Sequence, residues 1–136
     1  FPGESEKDFE QTLSIIEELK FDHVNTAAYS PRPNTPAATW PNQLKEDIKV
    51  NRLKIINTLV EKVAKERNER YKNSSQEILI ENTNPKDSSQ LMGRTRTNRL
   101  TFFPRSLQNG EYNKPGELVK VKISEIRPFS LTAKLI

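Results

Sequence analysis

The sequence predicts two structural classes in succession: an α/β piece ending in a long helix, then a small antiparallel β-barrel of about five strands. Three observations carry this reading. Apolar residues recur at helical spacing over residues 5–20 and 44–71, and a proline-rich break, Pro31-Arg32-Pro33-Asn34-Thr35-Pro36, lies between them. From residue 77 onward the pattern changes to alternation of apolar and polar positions, punctuated by turn residues and without a helical period.

Each element follows from local chemistry. Phe1-Pro2-Gly3-Glu4 forms a turn, and Ser5 with Asp8 three residues on is a capping-box pair that starts a helix over residues 5–20. Phe9, Leu13, Ile16 and Leu19 share one face of it, while Glu10, Glu17 and Glu18 fall outside. Residues 23–30, HVNTAAYS, suit a buried strand, and the prolines that follow fit neither helix nor central strand. Turn, helix, strand and loop make the second half of a βαβ unit. Leu44, Ile48, Leu53, Ile56, Leu59, Val60 and Val63 then mark the apolar side of a second helix, opposite charges that include Glu61 and Lys65 at i,i+4. Its charged tail KERNERY predicts that it leaves the core near Lys65 as a connector.

In the β part, EILIE (77–81) alternates, and the turn cluster 82–87 follows. Residues 91–103 hold two short strands, and Gln108-Asn109-Gly110 and Asn113-Lys114-Pro115-Gly116 punctuate a loop. LVKVKISEI (118–126) alternates, Arg127-Pro128-Phe129 breaks it, and residues 131–136 form a last strand. Strands this dense with no helix between them favour a barrel, because closure removes exposed edges. The domains are therefore residues 1–70 and 71–136.

A chain of 136 residues fits one ordinary domain or two small ones and excludes a complete large enzyme. It contains no cysteine, which excludes disulfides, a thiolate nucleophile and cysteine ligands for zinc or iron–sulfur clusters. With His23 the single histidine, a protein-only metal site would depend on carboxylates, and none is expected. No apolar run approaches the roughly 20 residues of a bilayer span, and no signal peptide is visible, so a cytoplasmic home is expected. The chain opens at Phe1 on FPGES, which suggests a piece of a longer polypeptide.

Charge is uneven. Residues 1–40 carry three basic and seven acidic side chains, residues 41–70 eight and five, and residues 71–136 eleven and six. A basic C-terminal part points to a polyanion, nucleic acid first, with a plainly solvated surface as the alternative.

LMGRTRTNRLTFF (91–103) concentrates that signal, with three arginines and no acid. In a strand, Arg94, Arg96 and Asn98 share one face and Thr95 and Thr97 the other. Guanidinium forks for phosphates, with Phe102 and Phe103 as flat surfaces for unstacked bases, suit single-stranded RNA, and Lys120 and Lys122 extend the basic face. Arg99 belongs to the same set. The alternative makes Phe102 and Phe103 core residues and the arginines ordinary surface charge.

GRTRTNRLTFF followed by GELVKVKISEIRPFSL resembles the TRAM domain that ends the MiaB family of radical-SAM tRNA methylthiotransferases. FPGESEKDFEQTL and YSPRPNTPAA are similar to the last part of that family's radical-SAM (β/α) barrel. Asn34 departs from the family's more frequent glycine, and asparagine is the next most tolerant residue for positive φ. The resemblance implies an enzyme that attaches a methylthio group to carbon 2 of isopentenyl-adenosine next to the tRNA anticodon. It would use S-adenosylmethionine and two [4Fe-4S] clusters, whose cysteine ligands this chain lacks, so the fragment by itself is expected to be inactive. The implied partner is tRNA, through its anticodon arm, met by a monomer.

By the same resemblance Pro2, Gly3 and Glu4, and after the next strand Tyr29, Ser30 and Arg32, would lie near the S-adenosylmethionine pocket. Glu4 also suits a helix N-terminus, and Arg32 a loop-stabilising hydrogen bond. His23 is read as structural and Trp40 as packing the long helix onto the barrel. No catalytic residue is expected in this fragment. Two other functions compete: a stand-alone RNA-binding module, which the half βαβ unit disfavours, and a sister methylthiotransferase acting on another nucleoside or on a ribosomal protein, which MGRTRTNR disfavours.

Overall fold

The computed structural model describes residues 1–108 and 111–136, which form two compact units, Phe1–Ala64 and Lys65–Ile136. Asn109 and Gly110 of the expected loop lie outside the described residues. Among the described residues no helix is long and apolar enough to cross a membrane.

In the first unit, helix α1 spans Glu6–Leu19. Its capping box is complete: the Ser5 hydroxyl accepts from the Asp8 amide at 3.2 Å, and the Ser5 amide donates to the Asp8 carboxylate at 2.9 Å. The Ser5 hydroxyl also donates to Asp8 Oδ2 at 2.7 Å, and this bond first, with that from the Ser5 amide, holds the Asp8 carboxyl below its ordinary range. Phe9 and Ile16 are buried and Leu13 is half-buried, but Leu19 is 60% exposed, so the apolar face is narrower than its spacing predicts. Ile16 packs with Val60 and Val63 of helix α2, Glu46–Asn68, against which Val24, Ile56 and Leu59 lie partly buried. Ile48, expected on the same face, is 38% exposed.

Residues 23–30 form no strand, which corrects the expected βαβ half-unit. Val24, Thr26 and Ala28 do alternate with exposed His23, Asn25 and Ala27, as in a strand. A strand, however, is defined by a hydrogen-bonded neighbour, and no described segment runs alongside. Side chains take over the anchoring: the Thr26 hydroxyl bonds Asn57, and Lys49 Nζ donates to the Tyr29 carbonyl at 3.2 Å. Asn34 adopts φ of 65°, as its substitution for glycine predicts. Trp40, expected to pack the long helix onto the barrel, is 43% exposed and meets the Phe1 ring edge to face at 5.6 Å.

The second unit is a closed barrel. Strands β1 (Ser75–Thr83), β2 (Gln90–Thr95), β3 (Leu100–Pro104), β6 (Leu118–Ile126) and β7 (Leu131–Leu135) close in the order β1-β2-β3-β7-β6. Leu107–Gln108 (β4) and Glu111–Tyr112 (β5) pair separately. The expected strand count holds, but the barrel is not wholly antiparallel. Strands β3 and β7 run parallel, joined at Thr101 with Leu131 and Phe102 with Thr132. An odd number of strands cannot alternate direction around a closed ring, so at least one parallel pair is unavoidable.

Alternation fills the interior with Ile78, Ile80, Leu91, Phe103, Val119, Val121, Ile123, Leu131 and Ala133, and Tyr71 joins them from the 3₁₀ turn Glu69–Tyr71 after α2. Bulges between Ile80 and Asn82 in β1 and between Ile123 and Glu125 in β6 bend the two longest strands, the kind of kink that closure requires. Buried Asn68 donates to the carbonyls of Arg127 (2.7 Å) and Pro128 (3.0 Å), fastening the β6–β7 connection to the end of α2.

Gly93 sits opposite Ile80 in β2 where the backbones approach most closely, and a Cβ there would come within 2.2 Å of the Leu79 carbonyl oxygen. Gly93→Ala is therefore expected to destabilise the barrel by about 2 kcal/mol or more. That lowers the barrel melting temperature by roughly 10 °C, as read by thermal denaturation of the full chain; an unchanged transition would show that the strands part without cost.

Candidate nucleic-acid interface

Because β1, β2, β3 and β6 bury every second residue, their other residues are committed to the outside. Glu77, Leu79 and Glu81 of β1, Met92 and Arg94 of β2, Leu100 and Phe102 of β3, and Leu118, Lys120 and Lys122 of β6 are exposed or half-buried. Register places them in rows. Leu79 stands between Leu118 and Arg94, Arg94 faces Leu100, Glu77 faces Lys120, and Met92 faces Phe102.

The arginines are held by acids of the neighbouring strand. Arg94 Nε lies 3.4 Å from Glu81 Oε2, and its Nη1 donates to the Asn98 carbonyl at 3.3 Å. Arg96 Nη2 lies 2.6 Å from Glu77 Oε1 with the Arg96 side chain 81% exposed. Exposed pairs of this kind contribute little stability, so a phosphate can replace the carboxylate at small cost.

Strand β2 ends at Thr95, and residues 96–99 turn. Asn98 therefore does not share a strand face with Arg94 and Arg96. It takes φ of 63° in a tight turn closed by its amide donating to the Thr95 carbonyl at 2.9 Å. The threonines build that turn: Thr95 Oγ1 accepts from the Arg99 amide and bonds Thr97 Oγ1, each at 3.0 Å, and Thr97 Oγ1 bonds the Tyr71 hydroxyl at 2.7 Å. Burial pushes the Tyr71 hydroxyl up, but the bonds to Thr97, Arg99 and Arg70 outweigh it and bring it below the ordinary phenol value. Arg70 and Arg99 lie over its ring at 5.0 and 5.9 Å.

Phe103 is fully buried in the barrel core and offers no surface to a base, which corrects its expected role. Phe102 faces outward, half-buried beside Met92. Lys120 and Lys122 are exposed, as expected. The EILIE spacing itself puts Glu77 and Glu81 on the same outer face of β1 as Leu79.

The residues proposed to adjoin S-adenosylmethionine do not gather into one site. Glu4 and Tyr29 line a cavity of about 420 Å³ in the first unit, with Lys49 and Arg52 in the same wall; Pro2, Gly3, Ser30 and Arg32 do not line it. Gly3, at φ of 81°, donates its amide to the Asn42 carbonyl at 2.9 Å. Ser30 and Arg32 are exposed, and the Arg32 carbonyl accepts from the Thr35 hydroxyl at 2.8 Å. The Glu4 carboxylate is taken by Arg52 at 2.6 Å, and Arg52 also reaches Glu6 at 2.9 Å and the Glu4 carbonyl at 3.1 Å. These contacts join the chain before α1 to α2, so the geometry around Glu4 is that of a structural tie. Of the six, Glu4 and Tyr29 thus share this cavity, and a cysteine-free chain cannot ligate either cluster.

The closed five-stranded barrel with cations on its outer face belongs to the small OB-like class. Residues 69–136, half of the chain, match the TRAM domain family, and the chain belongs to that family. Two solved structures are similar to parts of it. One is a multidomain protein with nucleic acid binding domains from Streptococcus pneumoniae TIGR4, at 14% identity and a TM-score of 0.39, covering 48% of this chain and 23% of that one. The other is the apo form of Mycoplasma genitalium RNase R, at 12% identity and a TM-score of 0.46, covering 66% and 17%. The chain spans less than a quarter of the length of either.

Tyr71→Phe removes the hydroxyl that anchors the 96–99 turn while keeping the ring. It is expected to cost about 1 kcal/mol in urea denaturation; wild-type stability would mean that the turn holds itself.

Proposed function

We propose that this chain is the C-terminal part of a MiaB-family radical-SAM tRNA methylthiotransferase, in which the TRAM barrel grips the anticodon arm of tRNA. The observation that carries the reading is the outer face of the barrel, where Arg94 of β2, Arg96 in the turn that follows it, and Lys120 and Lys122 of β6 flank strand β1 in a member of the TRAM family. The order of FPGESEKDFEQTL, YSPRPNTPAA and MGRTRTNR along the chain supports the family assignment. In this reading the first unit is the end of the catalytic barrel. The cysteine ligands of the two iron–sulfur clusters lie outside this chain, Pro2, Gly3, Glu4, Tyr29, Ser30 and Arg32 belong by resemblance to the S-adenosylmethionine end of the barrel, and the protein acts in the cytoplasm, where tRNA is.

What these residues contribute is binding and orientation. Phosphates displace Glu81 and Glu77 from the arginine forks and release counterions, while the lysines of β6 widen the positive track. The Thr95–Thr97–Tyr71 chain of hydrogen bonds holds the turn that presents Arg96.

The 136-residue chain is expected to bind an anticodon stem-loop. If four cations meet phosphates, affinity falls about 50- to 150-fold between roughly 50 and 200 mM salt. Arg94→Ala with Arg96→Ala reduces the slope of log affinity against log salt by about 1.5 without unfolding the barrel. Absence of binding at low salt, or an unchanged slope in the double variant, overturns the RNA surface. The enzymatic part is tested in the cell: deleting the gene is expected to remove the methylthio group from isopentenyl-adenosine in tRNA, seen by mass spectrometry of its nucleosides. Retention of that nucleoside refutes the assigned reaction while leaving RNA binding intact.

A further inference from the structure

Two leucines stand on the outer face of the barrel where solvent-facing strand residues are otherwise mostly polar. Leu79 of β1 is 44% exposed and Leu118 of β6 is 59% exposed, and the two are directly paired across the strands. They floor a depression of about 250 Å³ whose remaining lining is Glu77, Arg94, Thr95 and Arg96. The apolar floor is thus walled by two guanidiniums and a carboxylate.

We propose that this depression is a slot for one unstacked nucleobase of a single-stranded RNA segment, an inference that rests on the RNA-binding reading above. A base has two apolar faces, a polar edge and a phosphate on either side. The leucines offer a surface for one face, and the Arg94 guanidinium, 39% exposed between Glu81 and the Asn98 carbonyl, is a planar group at the wall. Arg96 is positioned for an adjoining phosphate, and Lys120, opposite Glu77, continues the positive path on the far side of the floor. Glu77 and the arginines give the base edge both acceptors and donors. Charge complementarity selects a polyanion over a neutral peptide, and the apolar floor selects a single strand over a duplex, whose base faces are already stacked.

The test compares a short single-stranded RNA, a duplex of the same sequence and the single strand carrying one abasic site, using the full chain and fluorescence anisotropy. Leu79→Thr with Leu118→Thr removes the floor while keeping side chains that favour strands. The double variant is expected to bind the single strand about tenfold more weakly, with an unchanged salt slope and an unchanged melting transition. The abasic strand is expected to lose affinity for the wild type and to lose no more for the variant. If the wild type binds none of the three RNAs, the RNA reading itself fails. If it binds with the expected salt slope but the leucine variant keeps wild-type affinity, the slot is refuted and the RNA reading stands. Sedimentation showing a wild-type dimer that the leucine variant abolishes also refutes it, by assigning the floor to a second copy.

Discussion

Closure of the barrel is the constraint on which the second unit depends. Five strands that join into a ring leave no edge for another chain to extend, and they force every residue to choose between interior and exterior. The ring closes through the β3–β7 parallel pair, through bulges in β1 and β6, and through the missing side chain at Gly93 that lets β2 lie against β1. Once closed, the buried described residues of this unit are apolar apart from Thr95, Thr101, Asn68 and Asn113, and the charged side chains lie outside.

That division explains the composition of the GRTRTNR stretch. Glycine serves the close approach, the threonines bond one another and Tyr71 to shape a turn, and asparagine supplies the positive φ. Arg99 lies over the Tyr71 ring, so Arg94 and Arg96 remain for a partner, and in the unbound protein Glu81 and Glu77 hold them in place. Such pairing keeps side chains ordered on the surface while leaving their charges exchangeable, because in high dielectric the exchange of one anion for another costs little.

The first unit is held differently. Its apolar cluster of Ile16, Val60 and Val63 is small, and polar ties carry the connections between segments: the capping box at Ser5, Arg52 to Glu4 and Glu6, and Lys49 to Tyr29. Of the residues that a family resemblance assigns to a cofactor, Glu4 is engaged in those ties, the Tyr29 ring meets Phe1, Pro2 is buried, and Ser30 and Arg32 face solvent.

What depends on near neighbours along the chain can be read from the residues without the fold. The Ser5–Asp8 cap, both helices, the alternation of β1 and β6 and the positive φ at Asn34 were all legible, since each follows from periodicity or backbone sterics within a few residues. What depends on partners far away along the chain emerges only in the folded molecule. Residues 23–30 alternate like a strand yet form none, because a strand exists only beside another. Phe102 and Phe103 are adjacent and chemically identical, but the registry of β3 in the ring sends one outward and buries the other completely. Leu79 and Leu118, read as ordinary strand residues, meet only because β1 and β6 pair, and pairing between segments this far apart is set by barrel closure rather than by either segment.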